Sequence, residues 1–524
     1  MIDVNKAKQK ILDLAIRGKL TKQLKSDGNA ADLLVEIQKE KEKQNIGARK
    51  TRQYTVGASC ASPNADNDSE MPFEIPENWV WCKLGEVTAI ERGGSPRPIK
   101  AFLTSDENGT NWIKIGDVEK NGKYITKVKE KIIKDGEKHS RKVFPGNFLL
   151  TNSMSFGRPY ISKIEGCIHD GWLVIRGNDS IYTSDYLYYY LSSAFAFTQF
   201  SESASGATVD NLSIDKVKSS WFSLSPLAEQ NRIVEKVDKL FEILDKIDEA
   251  QRKYQKDKDI LKSKIIEAGI RGKLTKQLKS DGNASVLLDE IRKEKEKLIK
   301  EGKIKRAKIE TYIYKNPKDN LYYEKYQDGT EKCIQDELPF EIPENWVWCR
   351  ASQLLYLIAG TSYNKADIKS DGIRILRGGN IVANQLVLFE DDVFVSDSYQ
   401  DKVKNVCKGD IILVASTGSK ITIGKPARIL VNHHKTQIGA FLRIARMYKK
   451  CISNYLWYIF NSGYYKNHIL ESVKGTNISN IKNEYIEDML IPLSSLGEQE
   501  RIVKIMEEVL NKLGNDSNKG DYER

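Results

Sequence analysis

Apolar residues recur in the middle of the chain at alternating steps of four and three residues. This spacing is typical of a coiled-coil seam, and it predicts one long helix over residues 228–268. At the α-helical rise per residue, such a helix is about 60 Å long. Gln251 and Lys258 interrupt the seam, and we interpret them as residues that fix register or partner. The apolar seam positions are Ile233, Val237, Leu240, Leu244, Ile247, Leu261 and Ile265.

A second seam with the same spacing is divided between the two ends of the chain. Its members are Val4, Ala7, Ile11 and Leu14 near the start and Ile502, Met506, Val509 and Leu513 near the end. We therefore expect the chain ends to pair with the central helix as a long antiparallel two-helix coiled coil. A pair of ordinary core helices is the alternative.

Two regions between these helical segments have the pattern of mixed α/β domains. Strand-like runs such as NFLLTNS (147–153) and DIILVAS (410–416) precede aromatic helical stretches at 184–193 and 453–462, whose aromatic residues we expect in the core. We divide the chain into an N-terminal helical segment (1–45), a first α/β domain (71–226), a central spacer helix (227–299), a linker (300–337), a second α/β domain (338–494) and a C-terminal helix (495–524).

Three segments of sequence occur twice. They are IRGKLTKQLKSDGNA at 16–30 and 270–284, PFEIPENWVWC at 72–82 and 339–349, and SPLAEQNRIV at 225–234 with its relative SSLGEQERIV at 495–504. In the middle of the chain the third segment leads directly towards the first, whereas the other copies of these two stand at opposite ends. The chain is thus a circular duplication, the pattern of a monomer that imitates a two-fold dimer. We expect an α/β fold with two domains separated by the coiled coil in a pseudo-two-fold repeat.

The net charge, the length of the apolar runs and the first residues bear on the partners and the location that we expect for this protein. The 83 Lys and Arg residues exceed the 72 Asp and Glu residues by 11, a mild excess that permits a polyanionic partner without requiring one. No apolar run approaches the roughly 20 residues of a membrane span. The start, MIDVNKAKQK, lacks the apolar core of a signal peptide, so we expect a cytoplasmic protein.

Several catalytic motifs are missing from the sequence. It contains no G-x-x-x-x-G-K-[ST] phosphate loop and no G-x-G-x-x-G fingerprint after a strand. It has no Pro-Pro dipeptide, so the [ND]-P-P-[YF] tetrapeptide of amino-methyltransferases is absent. The seven cysteines never form C-x-x-C, and five histidines do not complete a zinc cluster. The absence of these motifs disfavours a self-contained nuclease or methyltransferase. We therefore expect no catalytic residue, metal or cofactor in this chain.

The repeated segments resemble one protein family. PFEIPENWVWCKL (72–84) and PFEIPENWVWCR (339–350) are similar to the openings of the target recognition domains in specificity (S) subunits of type I restriction–modification systems. SPLAEQNRIV and SSLGEQERIV are similar to the ends of those domains. RGGSP (92–96), followed by NWIKIGDV (111–118), resembles their first loop and strand.

The resemblance implies a non-catalytic subunit that binds double-stranded DNA, two methyltransferase subunits and, with them, restriction subunits. It implies adenine N6-methylation or ATP-dependent cleavage at a bipartite site, with S-adenosylmethionine, ATP and magnesium bound by the partners. The alternatives are an S-like DNA-binding scaffold of another defence system without a restriction subunit, and a stand-alone DNA-binding protein.

Polar, glycine-containing loops of the two domains can be aligned, and they contain the residue types that bind bases and phosphates. In the first domain the candidate DNA-binding residues are Arg92, Ser95, Arg97, Lys100, Asn152, Ser153, Arg158, Tyr160, Thr208 and Asn211. In the second domain they are Thr361, Asn364, Lys365, Ser416, Thr417, Lys420, Lys425, Thr476 and Asn477. For each of them a solvated loop without DNA contact is the alternative. Because the loops differ between the domains, we expect two different half-sites.

Overall fold

The computed structural model describes residues 1–36, 39, 71–119, 122–153, 156–177, 180–202, 212–307, 310–419, 421–474 and 479–514. The chain forms two compact units, Met1–Lys253 and Tyr254–Arg524. Each unit begins with a helix, continues through a short 3-10 turn into an α/β domain, and ends with a helix. The duplication is therefore a repeat of one folded unit.

Helices are capped where the sequence supplies a short polar side chain. Asp3, Thr183 and Asn283 each accept a backbone N–H at the start of a helix. The described helices are α1 (Val4–Ile16), α2 (30–36), α3 (Leu84–Val87), α4 (Ser184–Leu191), α5 (Ala194–Glu202), α6 (Ile214–Ser219), α7 (Leu227–Ile270), α8 (Ala284–Lys300), α9 (Ser453–Phe460), α10 (Gly463–Ser472), α11 (Asn483–Glu487) and α12 (Leu496–Gly514).

The first part of α7 packs antiparallel against α1, as the seam predicts. Of the predicted seam, Ile233, Val237 and Leu244 are buried, whereas Leu240 and Ile247 are half-buried. Antiparallel pairing follows from cross-helix contacts in which Lys8 meets Asp245 and Ile2 meets Gln251. The Gln251 amide accepts from the Ile2 N–H at 2.7 Å and donates to the Ile2 carbonyl at 3.1 Å. This polar seam residue therefore binds the start of α1.

The last part of α7 departs from the predicted seam. Leu261 is 44% exposed and Ile265 is only half-buried, whereas Ile266 and Ile270 are buried. A straight helix drifts about 20° per heptad from a seven-residue repeat. Leu261 follows Ile233 by four heptads, so its side chain has turned away from the buried face. Our prediction that Leu261 lies in a buried seam is wrong.

Helix α12 packs against the last part of α7 at a glycine. A Cβ on Gly269 would lie 1.7 Å from Met506 Cε and 3.1 Å from Ile502 Cγ2, so the side chains of α12 pack directly against α7 at this position. Ile502 and Met506 are buried as predicted, and Val509 is half-buried.

Helix α1 buries a wider face than a two-helix seam requires. The predicted Ile11 and Leu14 are half-buried, whereas Leu12, Ala15 and Ile16 are fully buried. These three belong to the core of the first α/β domain. The helix thus packs on that domain as well as on α7.

The first α/β domain contains two main sheets and a two-stranded ribbon. Their orders are β2-β11-β8-β9-β5, β3-β6-β4-β10-β7 and β1-β12. The strands are β1 (Val80–Lys83), β2 (Thr88–Arg92), β3 (Leu103–Thr104), β4 (Thr110–Ile113), β5 (Tyr124–Ile125), β6 (Glu130–Ile132), β7 (Arg141–Val143), β8 (Phe148–Thr151), β9 (Pro159–Ser162), β10 (Gly166–Ile168), β11 (Trp172–Gly177) and β12 (Trp221–Leu224).

The second α/β domain repeats this plan with the sheets β17-β27-β23-β25-β21-β20 and β18-β22-β19-β26 and the ribbon β16-β29. Its strands are β16 (Val347–Arg350), β17 (Leu355–Ala359), β18 (Ile368–Lys369), β19 (Ile373–Leu376), β20 (Ile381–Val382), β21 (Gln385–Leu386), β22 (Val393–Val395), β23 (Ile411–Val414), β24 (Ser416–Thr417), β25 (Pro426–Arg428), β26 (Thr436–Ile438), β27 (Leu442–Met447), β28 (Ser479–Asn480) and β29 (Leu490–Leu493).

The segment 300–337, expected to be a linker, contains a three-stranded antiparallel sheet. The strands are β13 (Thr311–Lys315), β14 (Tyr322–Tyr326) and β15 (Glu331–Cys333). Ile313 and Ile334 are buried with Trp348 of the second domain. Arg350 also pairs with Glu324 at 2.7 Å across this contact. Arg350 also pairs with Glu337 at 3.2 Å, so a few apolar residues and two ion pairs attach this polar segment to the domain.

The three repeated segments meet in space in each unit. In the first unit the buried carboxylate of Glu229, in the first turn of α7, accepts from Trp79 Nε1 at 2.8 Å. It also accepts from Thr21 Oγ1 and Gln23 Nε2, both at 2.9 Å. We call Glu229 and its three donors the first junction. Each of the three segments contributes to it.

The second unit contains the same arrangement, which we call the second junction. Glu498 in the first turn of α12 accepts from Trp346 Nε1 at 2.9 Å, Thr275 Oγ1 at 3.0 Å and Gln277 Nε2 at 2.9 Å. A carboxylate near a helix N-terminus also interacts favourably with the helix dipole. The three repeated segments therefore form equivalent hydrogen-bonded junctions in the two units.

An ion pair lies beside each junction. Both Asp27 oxygens accept from Arg232, at 2.7 and 2.6 Å, and Asp281 accepts in the same way from Arg501. Hydrogen bonds from the arginine lower the pKa of Asp27 and likewise that of Asp281. A lowered folded-state pKa means that the pair's stabilisation is complete above the ordinary carboxyl pKa and is lost as pH falls through the folded value.

Glu229→Gln should lower the free energy of unfolding of the first unit by about 2–4 kcal/mol, because one acceptor of three hydrogen bonds becomes an amide. Glu498→Gln should have the same effect on the second unit. Urea unfolding measures both, with the exposed Glu235→Gln on the same helix as the matched control. Unchanged midpoints for both junction variants would contradict this account.

Candidate nucleic-acid interface

In each α/β domain three loops meet at the strand ends of one sheet. This sheet is β2-β11-β8-β9-β5 in the first domain and β17-β27-β23-β25-β21-β20 in the second. We call these residues the loop edge; they are 93–100, 152–153, 156–158 and 169–171 in the first domain and 360–365, 415–419, 421–425 and 439–441 in the second. In the first domain, Gly93 donates to the Trp172 carbonyl at 2.9 Å and the Asn152 N–H to the Gly171 carbonyl at 3.0 Å. A Cβ on Gly93 would lie 2.1 Å from the His169 carbonyl oxygen. The backbone segments at Gly93 and His169 can therefore approach this closely only because residue 93 is glycine.

Asp170 organises the loop edge of the first domain. Its carboxylate accepts from Ser95 Oγ at 3.0 Å and lies 3.4 Å from Arg97 Nη2. Its backbone carbonyl accepts from Arg92 Nε at 3.1 Å and from Asn152 Nδ2 at 2.9 Å. Burial opposes ionisation, but the hydrogen bond from Ser95 and the nearby His169 outweigh it and lower the pKa of Asp170. Four predicted DNA-binding residues therefore converge on Asp170, namely Arg92, Ser95, Arg97 and Asn152.

The loop edge of the second domain has the same backbone pattern. The Ala415 N–H donates to the Phe441 carbonyl at 2.9 Å, as Asn152 does to Gly171. A Cβ on Gly360 would lie 2.0 Å from the Gly439 carbonyl oxygen, so Gly360 corresponds to Gly93.

The side chains at these equivalent positions differ between the two domains. Ala440 and Phe441 stand where the first domain has Asp170 and Gly171, and Ala415 stands in place of Asn152. One loop edge is thus centred on a carboxylate with arginines, and the other presents small and apolar side chains.

Two of the predicted DNA-binding residues in the first domain are core residues instead. Asn152 is fully buried, so its side chain holds the turn at Asp170 and is not available to DNA. Tyr160 is buried edge-to-face against Trp172, with ring centroids 5.7 Å apart, and burial raises its pKa. Asn152 directly follows β8 and Tyr160 lies within β9, whereas the loop alignment placed both in solvent.

The other described predictions in the first domain lie at or near the surface. Arg97 and Lys100 are exposed near the short turn Ile99–Ala101, and Arg158 is exposed beside β9. Ser153 is half-buried at the end of β8. These positions remain predictions for DNA contact.

In the second domain the structure gives some predicted residues a structural role. Thr361 is buried, and its hydroxyl donates to Gln437 Oε1 at 2.8 Å, so it is wrong as a surface contact. Lys425 Nζ donates to the Ile381 carbonyl at 3.0 Å and is half-buried. The amine therefore holds a neighbouring strand.

The remaining predicted residues of the second domain keep their loop positions. Asn364 and Lys365 are exposed at the turn Lys365–Asp367. Ser416 and Thr417 are half-buried in β24, and the Thr417 hydroxyl is 3.0 Å from that of Thr422. The predicted residues Thr208, Asn211, Lys420, Thr476 and Asn477 lie outside the described residues.

Sequence reasoning missed the two turns at the centre of the loop edges. The turns precede β11 and β27, and they read HDG (169–171) and GAF (439–441). The sequence predicts both strands, from the strand-like runs WLVIRG (172–177) and GAFLRIA (439–445). Aligning them and reading the three residues before each one would have exposed the contrast between Asp170 and Ala440.

No candidate metal or membrane site is found in the parts of the chain that the structure describes. Among those residues, no group of three or more His, Cys, Asp or Glu side chains is arranged to hold a metal ion. No described helix is long and apolar enough to cross a membrane.

Comparison with known proteins places both repeats in one class. The family model for the type I restriction modification DNA specificity domain matches residues 76–255 and 343–520. The chain is 25% identical to the specificity subunit of type I restriction enzyme EcoAI from Escherichia coli, across 97% of this chain and 90% of that protein. It is 30% identical to the EcoKI specificity subunit from Escherichia coli K12 over 188 residues, which cover 35% of this chain and 40% of that one.

A solved structure shares the fold. A chain from a study of complex assembly and conformational transition in a type I R-M system superimposes with a TM-score of 0.58 at 17% identity. The match covers 85% of this chain and 93% of that chain.

Arg97→Ala should change the free energy of unfolding by less than about 1 kcal/mol, because its ion pair with Asp170 is exposed. Tyr160→Ala should cost about 3–5 kcal/mol, because it removes a buried aromatic ring. Urea unfolding followed by tryptophan fluorescence separates the two, with Lys100→Ala as the surface control. An equally large loss for Arg97→Ala would make that arginine structural.

Proposed function

Because the chain belongs to the family of type I restriction–modification DNA specificity subunits, we propose that it recognises a bipartite, asymmetric DNA site. Each α/β domain binds one half-site through its loop edge. Specificity subunits of this family are non-catalytic, so the proposal assigns adenine N6-methylation and ATP-dependent cleavage to partner subunits. S-adenosylmethionine, ATP and magnesium belong to those partners, and the complex acts in the cytoplasm.

The contrast between the two loop edges carries the proposal. Both rest on the same backbone pattern, yet Asp170 with Arg97 stands in one and Ala440 with Phe441 in the other. Base edges are distinguished by the donors, acceptors and apolar groups presented to them. Two unlike sets of side chains on one scaffold therefore suit two unlike half-sites.

Surface identity between the units supports two identical protein partners. In the repeated segments 16–30 and 270–284, positions outside the core are the same in both copies. Leu24 is 46% exposed and Leu278 is 45% exposed. Each is followed directly by an exposed lysine, Lys25 or Lys279. Packing does not constrain such positions, so a shared contact explains their identity.

We assign these two surfaces to two methyltransferase subunits, one on each unit. An exposed leucine beside lysines offers an apolar anchor with a charged rim, the usual anatomy of a protein interface. Restriction subunits join through the methyltransferases in this proposal.

Exchange of residues 85–220 for the matching region of a relative should change one half of the methylated sequence and leave the other half and the gap unchanged. The reason is that each loop edge lies within one domain. Base-resolved methylation mapping of DNA treated with the reconstituted complex measures the result. A change in both halves would contradict independent recognition.

Leu24→Asp or Leu278→Asp alone should remove one methyltransferase subunit from the complex, and the double variant should remove both, because a buried carboxylate without a partner disrupts an apolar contact. Native mass spectrometry counts the bound subunits.

Val286→Asp is the matched control, because Val286 is 61% exposed and its repeat counterpart is Asp32. Full occupancy in the double leucine variant would exclude these surfaces as the methyltransferase contacts.

A further inference from the structure

The turn 439–441 in the second domain is rigidly held. The Phe441 carbonyl accepts from the Ala415 N–H at 2.9 Å and from the Ser416 N–H at 3.1 Å. The Ala440 carbonyl accepts from Arg443 Nη1 at 3.0 Å, and Leu442 donates back to Gly439 at 2.9 Å. Four hydrogen bonds therefore hold the backbone of this turn.

This rigid turn presents a large apolar side chain to solvent. Phe441 is 69% exposed, and the neighbouring Ala440 is also exposed. The adjoining loop contributes hydroxyl groups from Ser416 and Thr417, which suit contacts to a DNA backbone. Phe441 and Ala440 together give this loop edge an exposed apolar surface, which the fold does not need for its own packing.

We propose that Phe441 contacts the 5-methyl group of a thymine in the half-site bound by the second domain. The proposal rests on the function proposed above and names what that loop edge recognises. Apolar side chains recognise thymine in the major groove through this methyl group, which adenine, guanine and cytosine lack at their groove edges. A phenyl ring has no donor or acceptor, so its contribution to sequence choice depends on such an apolar contact.

The first domain differs at the equivalent position. Gly171 stands there, and the neighbouring Asp170 positions Arg97, a side chain suited to hydrogen bonding with a guanine edge. This loop edge has no apolar side chain at the turn. Dependence on a thymine methyl group should therefore be confined to one half of the site.

Replacing single thymines by deoxyuridine removes the methyl group and leaves base pairing intact. The methylated sequence is first determined with the reconstituted complex of the chain and its methyltransferase. Each thymine on both strands is then replaced in turn, and binding is measured at a fixed salt concentration.

With the unaltered chain, one replacement in one half-site should weaken binding by about fourfold, the effect of one buried methyl group. Phe441→Ala should abolish the difference between thymine and deoxyuridine at that position only. Val431→Ala is the matched control, because Val431 is 57% exposed beyond the opposite end of β25. That variant should retain the fourfold preference.

Three results would overturn the inference. The first is that the half-site bound by the second domain contains no thymine on either strand. The second is that Phe441→Ala keeps the preference for thymine over deoxyuridine. The third is that Phe441→Ala loses methyltransferase binding in the absence of DNA. The last result would make Phe441 a protein contact. Failure of the unaltered complex to select any sequence would instead refute the proposed function itself, so the two failures are distinguishable.

Discussion

The buried carboxylates of Glu229 and Glu498 impose the constraint on which each unit depends. A carboxylate removed from water must be surrounded by donors, or the unit does not fold stably. Trp79 supplies one donor to Glu229 from the start of the domain, and the segment after α1 supplies two more. The first junction therefore joins the helix, the turn and the domain at one point. The second unit repeats the solution around Glu498.

The junction residues hold each unit together, whereas the loop-edge residues are the ones that we propose bind DNA. The segments that form it are nearly identical in the two units, and they fix where each sheet begins. The loop edge stands on the sheet beyond it and tolerates different side chains, because only backbone bonds and one close glycine contact are shared. Asp170 and Phe441 can therefore differ in chemistry while the turns that carry them remain equivalent.

The repeat, the α/β class and the antiparallel pairing of α1 with α7 could be predicted from the sequence, because periodicity and identical segments report packing directly. The prediction of Leu261 as buried was wrong because a seven-residue pattern drifts on a straight helix. Tyr160 and Asn152 were misplaced because loop polarity does not reveal where a strand begins or ends. The importance of Asp170 depends on three segments meeting in space, which no local pattern encodes.

The central claim is that one chain carries two unlike recognition surfaces on one repeated support. Base-resolved mapping of methylated adenines, in random DNA treated with the reconstituted complex of this chain and its methyltransferase, tests it most directly. The account predicts one motif with two different half-sequences separated by a gap of constant length. A palindromic motif, or a single uninterrupted sequence, would contradict it.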